Sequence, residues 1–260
     1  MVENYGQVIV DECHHVGAFS FDAILRRTKA KYIRGLTATP IRRDGQQPII
    51  FMQCGPIRYT AAQPTGAPHD LEVVPCPCHG RLDLPADGGI QDVFRHLAND
   101  RDRTVAIAVE VRDAVTRGRK VLVLTERTEH LDAIKGVLDD LQPPPFVLHG
   151  RMSGRQRAAL VADLDALPPN APRVLLSTGK LVGGGFVHPP LDTLVLAMPV
   201  SCKGTLQQYA GRLHREHAGK TDVRIIDFVD TGHPALLRMW DKRQIGYRAM
   251  GYRLQQSAAW

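Results

Sequence analysis

Two acids pose the first chemical question. Asp11 and Glu12 follow directly on Val8-Ile9-Val10, a β-branched run of the kind that forms a buried strand in a parallel sheet. Ligands of open α/β sheets bind at the carboxyl ends of the strands. A carboxylate placed there can hold Mg2+, directly or through water, and its neighbour can orient an attacking water. About twenty-five residues on, Leu36-Thr37-Ala38-Thr39-Pro40 reads as the next strand and its hydroxyl-bearing end. Thr37 and Thr39 could hydrogen-bond the acids or a phosphate-bound water. An acidic pair ending a strand is also, commonly, just a solvated strand end.

Three later stretches have chemical potential of the same kind. Ser177-Thr178-Gly179-Lys180 closes the apolar run Val174-Leu175-Leu176 and offers backbone N–H groups and a cation to a phosphate; a strand-to-loop turn is the plainer account. Gly183-Gly184-Gly185-Phe186 permits close backbone approach to a ligand, or is a flexible loop. Gln207-Gln208-Tyr209-Ala210-Gly211-Arg212-Leu213-His214-Arg215 sets Arg212 and Arg215 three apart, on one face of a helix. Two such guanidiniums suit a bidentate grip on a polyphosphate and the stabilisation of transition-state charge at a γ-phosphate. A solvated basic face is the commoner fate of an arginine pair. Cys76-Pro77-Cys78-His79 falls short of the four ligands of a tetrahedral zinc site, so reduced thiols are expected there.

The elements that must position these groups alternate. After the acids the sequence predicts a short helix from Phe21 to Arg27 with Ser20 as its cap, then an apolar run Ile49–Met52 of strand or helix type. Strands are predicted at 120–125, 146–150, 173–178, 194–197 and 223–229. Helices are predicted at 93–99, 105–116, 129–141, from Ser153 to 167 with a Ser153/Gln156 capping box, and at 205–213. Such alternation implies a parallel, doubly wound sheet. Pro64, Gly66, Pro68, Pro75, Pro77, Pro85, Gly88 and Gly89 mark a linker with one strand, Leu71–Val74, inside it. The expected plan is a first lobe at 1–62, a linker at 63–89, a second lobe at 90–232 and a helical tail at 233–260.

At 260 residues with 43% hydrophobic and 23% charged content, one large or two modest globular domains are expected. The formal charge of +6 favours a polyanionic partner. No apolar run is long enough to span a bilayer, so no membrane association is expected. The first residues carry acids and a strand instead of a leader, and the five scattered cysteines suit reduced thiols, so a cytoplasmic location is expected.

Taken in order, DECHH, TATP, VLVLTER, STGKLVGGGF and QQYAGRLHR resemble the motifs of superfamily 2 helicases of the DEAD/DEAH-box type. The closest likeness is to the branch of repair-type and restriction-motor translocases. The resemblance implies an α/β fold of RecA-like parallel sheets, with one complete C-terminal helicase lobe and the truncated end of the first lobe. It implies ATP and Mg2+ as cofactors, and nucleic acid, DNA rather than RNA, as partner. Carried over by residue, Asp11 would hold Mg2+ through water and Glu12 would activate the hydrolytic water. Thr37 and Thr39 would couple the ATP site to the nucleic-acid track. Gln208 would sense nucleotide, Gly185 would lie beside it, and Arg212 and Arg215 would be arginine fingers. Ser177, Thr178 and Gly179 would touch the nucleic-acid backbone, with Thr125 and Arg127.

Two departures accompany the match. Where many relatives read G-E-G-F-D, this chain has Gly183-Gly184-Gly185-Phe186-Val187, without either acid. The phosphate-cradling loop of the family belongs well upstream of the acids, so a separate chain or an upstream segment is expected to supply it. The resemblance therefore implies part of an ATP-dependent helicase or translocase, inactive as an isolated chain. A second reading is a non-catalytic nucleic-acid- or partner-binding module, derived from a decayed or split helicase.

Overall fold

The β-branched run before the acids forms β1 (Gln7–Val10), which pairs in parallel with β2 (Tyr32–Gly35), Gln7 opposite Tyr32 and Val10 opposite Gly35. The structure, a computed structural model, describes residues 4–13, 19–37, 47–61, 68–78, 89–179, 186, 188–200 and 203–255. The chain divides into two units, Met1–Pro64 and Thr65–Trp260. In the first, α1 (Phe19–Arg26) connects the two strands and α2 (Gln47–Cys54) follows them. The pleat turns Val8, Val10 and Ile33 onto a small core with Cys13, Leu25 and Ile50. The opposite face carries Gln7, Ile9, Tyr32 and Arg34, all exposed. Gly35 has no room for a side chain: a Cβ there would stand 2.7 Å from Cys13 Sγ and 3.0 Å from Cys54 Cβ. The run Ile49–Met52 resolves as helix, and the helix predicted from Phe21 begins at Phe19, which places Ser20 inside it.

The second unit contains β3 (Asp70–Cys78), α3 (Ile90–Asn99), α4 (Arg101–Thr116), β4 (Lys120–Thr125), α5 (Thr128–Leu138), β5 (Phe146–Leu148), α6 (Gly154–Asp165), β6 (Arg173–Thr178), β7 (Thr193–Leu196), α7 (Lys203–Leu213), β8 (Asp222–Asp230), α8 (Pro234–Ala249) and β9 (Arg253–Leu254). Seven strands form one sheet in the order β5-β6-β4-β7-β8-β3-β9, every pairing parallel. The two-residue period of the strands builds two cores. Val121, Val123, Val174, Leu176 and Val195 face α4 and α5, where Ile107, Val111, Leu131 and Ile134 meet them. Leu122, Leu124, Leu175, Leu194 and Leu196 face the other way, onto Leu160, Leu164, Leu206, Leu213 and Trp240 of α6, α7 and α8. Apolar residues on consecutive positions of β4 are thus required by burial on both faces. This is the parallel α/β sheet that the alternation of elements implied. The predicted capping box is present: Gln156 N–H donates to Ser153 Oγ at 3.3 Å, and Ser153 N–H donates to Gln156 Oε1 at 2.8 Å.

The stretch read as a linker differs from expectation. β3 runs from Asp70 to Cys78, well beyond Leu71–Val74, and pairs with β8 along its whole length. Its prolines belong to a strand because of where they point. Gln255 N–H donates to Val73 O at 2.8 Å, so Val73, and with it Pro75 and Pro77, face the β9 side. There β9 is paired only as far as Leu254. The two prolines therefore lie on the outer side, past the short β9, where no ladder donor is missed. The tail also joins the sheet. α8 is capped by His233, whose Nδ1 accepts from Ala235 N–H at 3.1 Å, and it buries Trp240 and Tyr247 in the core. At the amino ends of the strands, Arg119 bonds Thr193 Oγ1 at 2.8 Å and pairs with Asp192 and Asp222.

Leu122 is fully buried at the centre of the sheet. Leu122→Ala is expected to destabilise the protein by about 2–5 kcal/mol in urea unfolding. A loss below about 1 kcal/mol would contradict this packing.

Candidate functional site

In the first unit the acids sit on a clasped turn. Leu36 N–H donates to Val10 O at 2.9 Å and Cys13 N–H donates to Leu36 O at 2.9 Å. These bonds hold the turn after β1 against the chain leaving β2, which brings Asp11 and Glu12 beside Thr37. Glu12 N–H donates to Asp11 Oδ1 at 2.9 Å. Glu12 has φ of +49°, the left-handed region that non-glycine residues seldom occupy. Such strain is characteristic of sites where geometry serves chemistry. Asp11 is exposed, while Glu12 and Thr37 are half-buried. Thr39 lies outside the described residues, as does Gly185 of the second unit.

In the second unit the turns after β4, β5 and β6 emerge on the same edge of the sheet. Thr125 and Ser177 are buried, and their hydroxyls serve the turns themselves. Thr125 Oγ1 lies 3.0 Å from His130 Nδ1, and Ser177 Oγ donates to the Thr178 carbonyl at 3.2 Å. Arg127 donates through Nη2 to the Gln91 carbonyl at 3.2 Å, fastening the first turn of α3. Thr178 is half-buried and Gly179 buried, against α7; His149, after β5, is half-buried and Gly150 exposed. Contact with a nucleic-acid backbone at this edge is thus available to Thr178 and to backbone N–H groups more than to the Thr125 and Ser177 hydroxyls.

The expected arginine face takes a different form. α7 ends at Leu213, so Arg215 stands in the turn beyond it and does not share a helix face with Arg212. The helical neighbour of Arg212 is Gln208, one turn earlier; both are half-buried. Leu206, Tyr209, Ala210 and Leu213 occupy the core side. The turn holding Arg215 is itself pinned. His214 Nε2 lies 2.8 Å from the Tyr252 hydroxyl, the rings stack at 5.6 Å, and Lys220 Nζ donates to Arg215 O at 3.1 Å and Pro189 O at 3.0 Å. Burial pushes the Lys220 ammonium down to about 8. The roles of His214, Tyr209 and Lys220 leave no local signal in the sequence, because each acts through a partner outside its own element.

Cys76 and Cys78 lie half-buried on β3, where burial pushes their thiols up to about 12 and about 11. Both stay protonated near neutral pH. Among the described residues no group of three or more His, Cys, Asp or Glu side chains could hold a metal ion; His79 lies outside them. Among the described residues, no helix is long and apolar enough to cross a membrane.

Comparison with known proteins agrees with this architecture. The family model for the type III restriction enzyme res subunit matches residues 2–42. A protein of Escherichia phage T5 named as a probable helicase, D10, is 28% identical over 96% of this chain and 54% of its own length. A protein of Acanthamoeba polyphaga mimivirus named as an ATP-dependent RNA helicase is 21% identical over 98% of this chain and 49% of its own length. A fragment structure assigned to the HsdR subunit of a type I restriction enzyme from Vibrio vulnificus superimposes with a TM-score of 0.64 at 24% identity, over 90% of this chain and 45% of that one. The fold is that of RecA-like helicase domains, and the family model and the viral relatives support a likeness to superfamily 2 helicases. It spans about half the length of the two viral relatives.

His130 supplies a pH-dependent test of the β4 turn. Burial pushes its imidazole from 6.5 down to about 4, so the folded protein holds it neutral. The unfolded chain takes up that proton below 6.5, so this contribution is complete above 6.5 and falls away as the pH drops towards about 4. The total is about 3 kcal/mol. In His130→Asn the decline in unfolding free energy across that window should be shallower than in the parent by this order. Parallel profiles would contradict a neutral His130.

Proposed function

We propose that this chain is part of an ATP-dependent helicase or translocase that couples ATP hydrolysis to movement along nucleic acid, DNA in preference to RNA. The observation that carries the reading is the clasped acid turn of the first unit, with Asp11 and Glu12 set beside Thr37 at the carboxyl ends of two parallel strands. It occurs in one chain with a second, RecA-like sheet whose motif turns share an edge.

The donor set suits Mg2+. Asp11 presents an exposed carboxylate in which one oxygen is already oriented by the Glu12 N–H, a hard ligand for a hydrated cation. Bound Mg2+ would neutralise charge on the phosphates of ATP. Glu12 is the base that accepts a proton from the attacking water, and its left-handed backbone sets the direction of its carboxylate. Thr37 reads the state of that water through its hydroxyl. Gln208 and Arg212, one helical turn apart on α7, bind polyphosphate, and Arg215 adds a second cation from the pinned turn. Thr178 and the Gly179 backbone meet the nucleic-acid backbone, steered by the net positive charge. These roles for the paired residues rest on the family resemblance together with the local geometry.

The sequence contains no G-x-x-x-x-G-K-[ST] run to cradle the β- and γ-phosphates. That cradle comes from another segment or chain of the complete motor, and the cofactor ATP is turned over only there. The purified 260-residue chain is therefore expected to bind oligonucleotides, DNA more tightly than RNA, with an affinity that falls steeply with salt. Its ATP hydrolysis should stay at background with or without DNA. DNA-stimulated turnover abolished by Glu12→Gln would overturn the dependence on an outside cradle. Absence of oligonucleotide binding at low salt would overturn the proposed function.

A further inference from the structure

Three of the segments described above meet at one hydrogen bond. Tyr209 leaves α7 on its buried side, with 4% of its surface exposed. Its hydroxyl donates to Glu126 Oε1 at 3.3 Å. Glu126 lies in the turn after β4, between Thr125 and Arg127. The bond crosses Gly179, which follows directly on β6. A Cβ on Gly179 would fall onto the Tyr209 hydroxyl oxygen and stand 2.7 Å from both Tyr209 Cζ and Glu126 Oε1. The obstructing ring is fixed in the core, among Leu206, Ala210 and Leu213. Gly179 is thus the gap through which the phenol reaches the carboxylate.

The placement has mechanical consequences. Tyr209 follows Gln208 directly and precedes Arg212 by one turn of the same helix. A phenol is rigid beyond its two side-chain torsions, so displacement of α7 moves the hydroxyl by a similar amount. That hydroxyl is pressed against the Gly179 backbone and bonded to the β4 turn. Neither turn can shift freely while α7 stays still. Burial pushes the Tyr209 phenol up, and the Glu126 charge adds to the effect, so the proton remains on the phenol near neutral pH. Bonds to a charged acceptor are stronger than neutral ones.

Resting on the reading that α7 handles nucleotide and the β6 turn handles nucleic acid, we propose that Tyr209 is a positioning residue: its bond to Glu126 across Gly179 makes the arginine helix and the two strand-end turns move together. Contact at the Gly179 turn is then felt at Arg212, and contact at Arg212 is felt at Gly179, as linkage requires.

The test uses the isotope-labelled 260-residue chain, a short single-stranded DNA and nuclear magnetic resonance of the Gly179 amide and the Arg212 side chain. In the parent, DNA should shift both signals. In Tyr209→Phe, which removes only the hydroxyl, the Gly179 shift should persist and the Arg212 shift should shrink about fivefold or more. Glu126→Ala, at an exposed position, should have the same effect if the phenylalanine variant folds poorly. Glu126→Gln, which retains a carbonyl acceptor, should keep the Arg212 response. A purely structural bond would lower stability without separating the two signals. An Arg212 response in Tyr209→Phe and Glu126→Ala equal to the parent's would overturn the proposal. Failure of DNA to move Gly179 in the parent would overturn the functional reading, and the proposal with it.

Discussion

Every strand of the large sheet runs in one direction, and the rest of the second unit follows from that constraint. Parallel strands must each be followed by a crossover, and helices must cover both faces. Every segment leaving a strand therefore emerges on the same edge. Thr125 to Arg127, His149-Gly150, Thr178-Gly179 and Ala197-Met198 belong to one rim although they are spread over more than seventy residues. The small sheet of the first unit repeats the rule with two strands, and its acids and Thr37 share a rim for the same reason.

The rim of the large sheet is braced from both sides by buried arginines. From α4, Arg103 donates to the Ala197 carbonyl at 3.1 Å and pairs with Asp230, joining the ends of β7 and β8. From α8, Arg243 bonds Asp227 at 2.7 Å, and the Tyr247 hydroxyl bonds the same oxygen at 2.7 Å. Buried pairs add little net stability compared with apolar packing, but removing one member leaves an uncompensated charge. Their service here is positional. They hold the rim in register from the two helical layers, where apolar side chains would fix only the spacing. The Tyr209–Glu126 bond sits on the same rim, nearer the exposed turns, and is weaker for being partly solvated.

Much of this was legible in the residues. The cores of β4, β6 and β7 were marked by unbroken apolar runs, and the Ser153 cap by its own chemistry, because burial on two faces and a local hydrogen bond both leave signals in consecutive residues. What failed depended on partners distant in sequence. Pro75 and Pro77 spell a linker unless it is known that their nitrogens face outward past a two-residue strand formed some 180 residues later. The pairing of Arg212 with Arg215 assumed a helix that continues, whereas the stacking of His214 on Tyr252 and the grip of Lys220 on the Arg215 carbonyl hold a turn. Gly179 read as part of a strand-to-loop turn; it is glycine because a tyrosine hydroxyl occupies the place of its Cβ. Thr125 and Ser177 were expected at a nucleic-acid backbone, but the strand alternation that makes their neighbours core also buries them.

The proposed function requires the shared rim of the second unit to be the nucleic-acid track. Ultraviolet cross-linking of the chain to a photoreactive single-stranded DNA, with the linked peptides identified by mass spectrometry, addresses this directly. Links confined to the turns after β4, β5 and β6, and lost on competition with unlabelled DNA, are the predicted result. Links concentrated on the outer surface of α8 or at the amino ends of the strands, with the rim unlabelled, would contradict it.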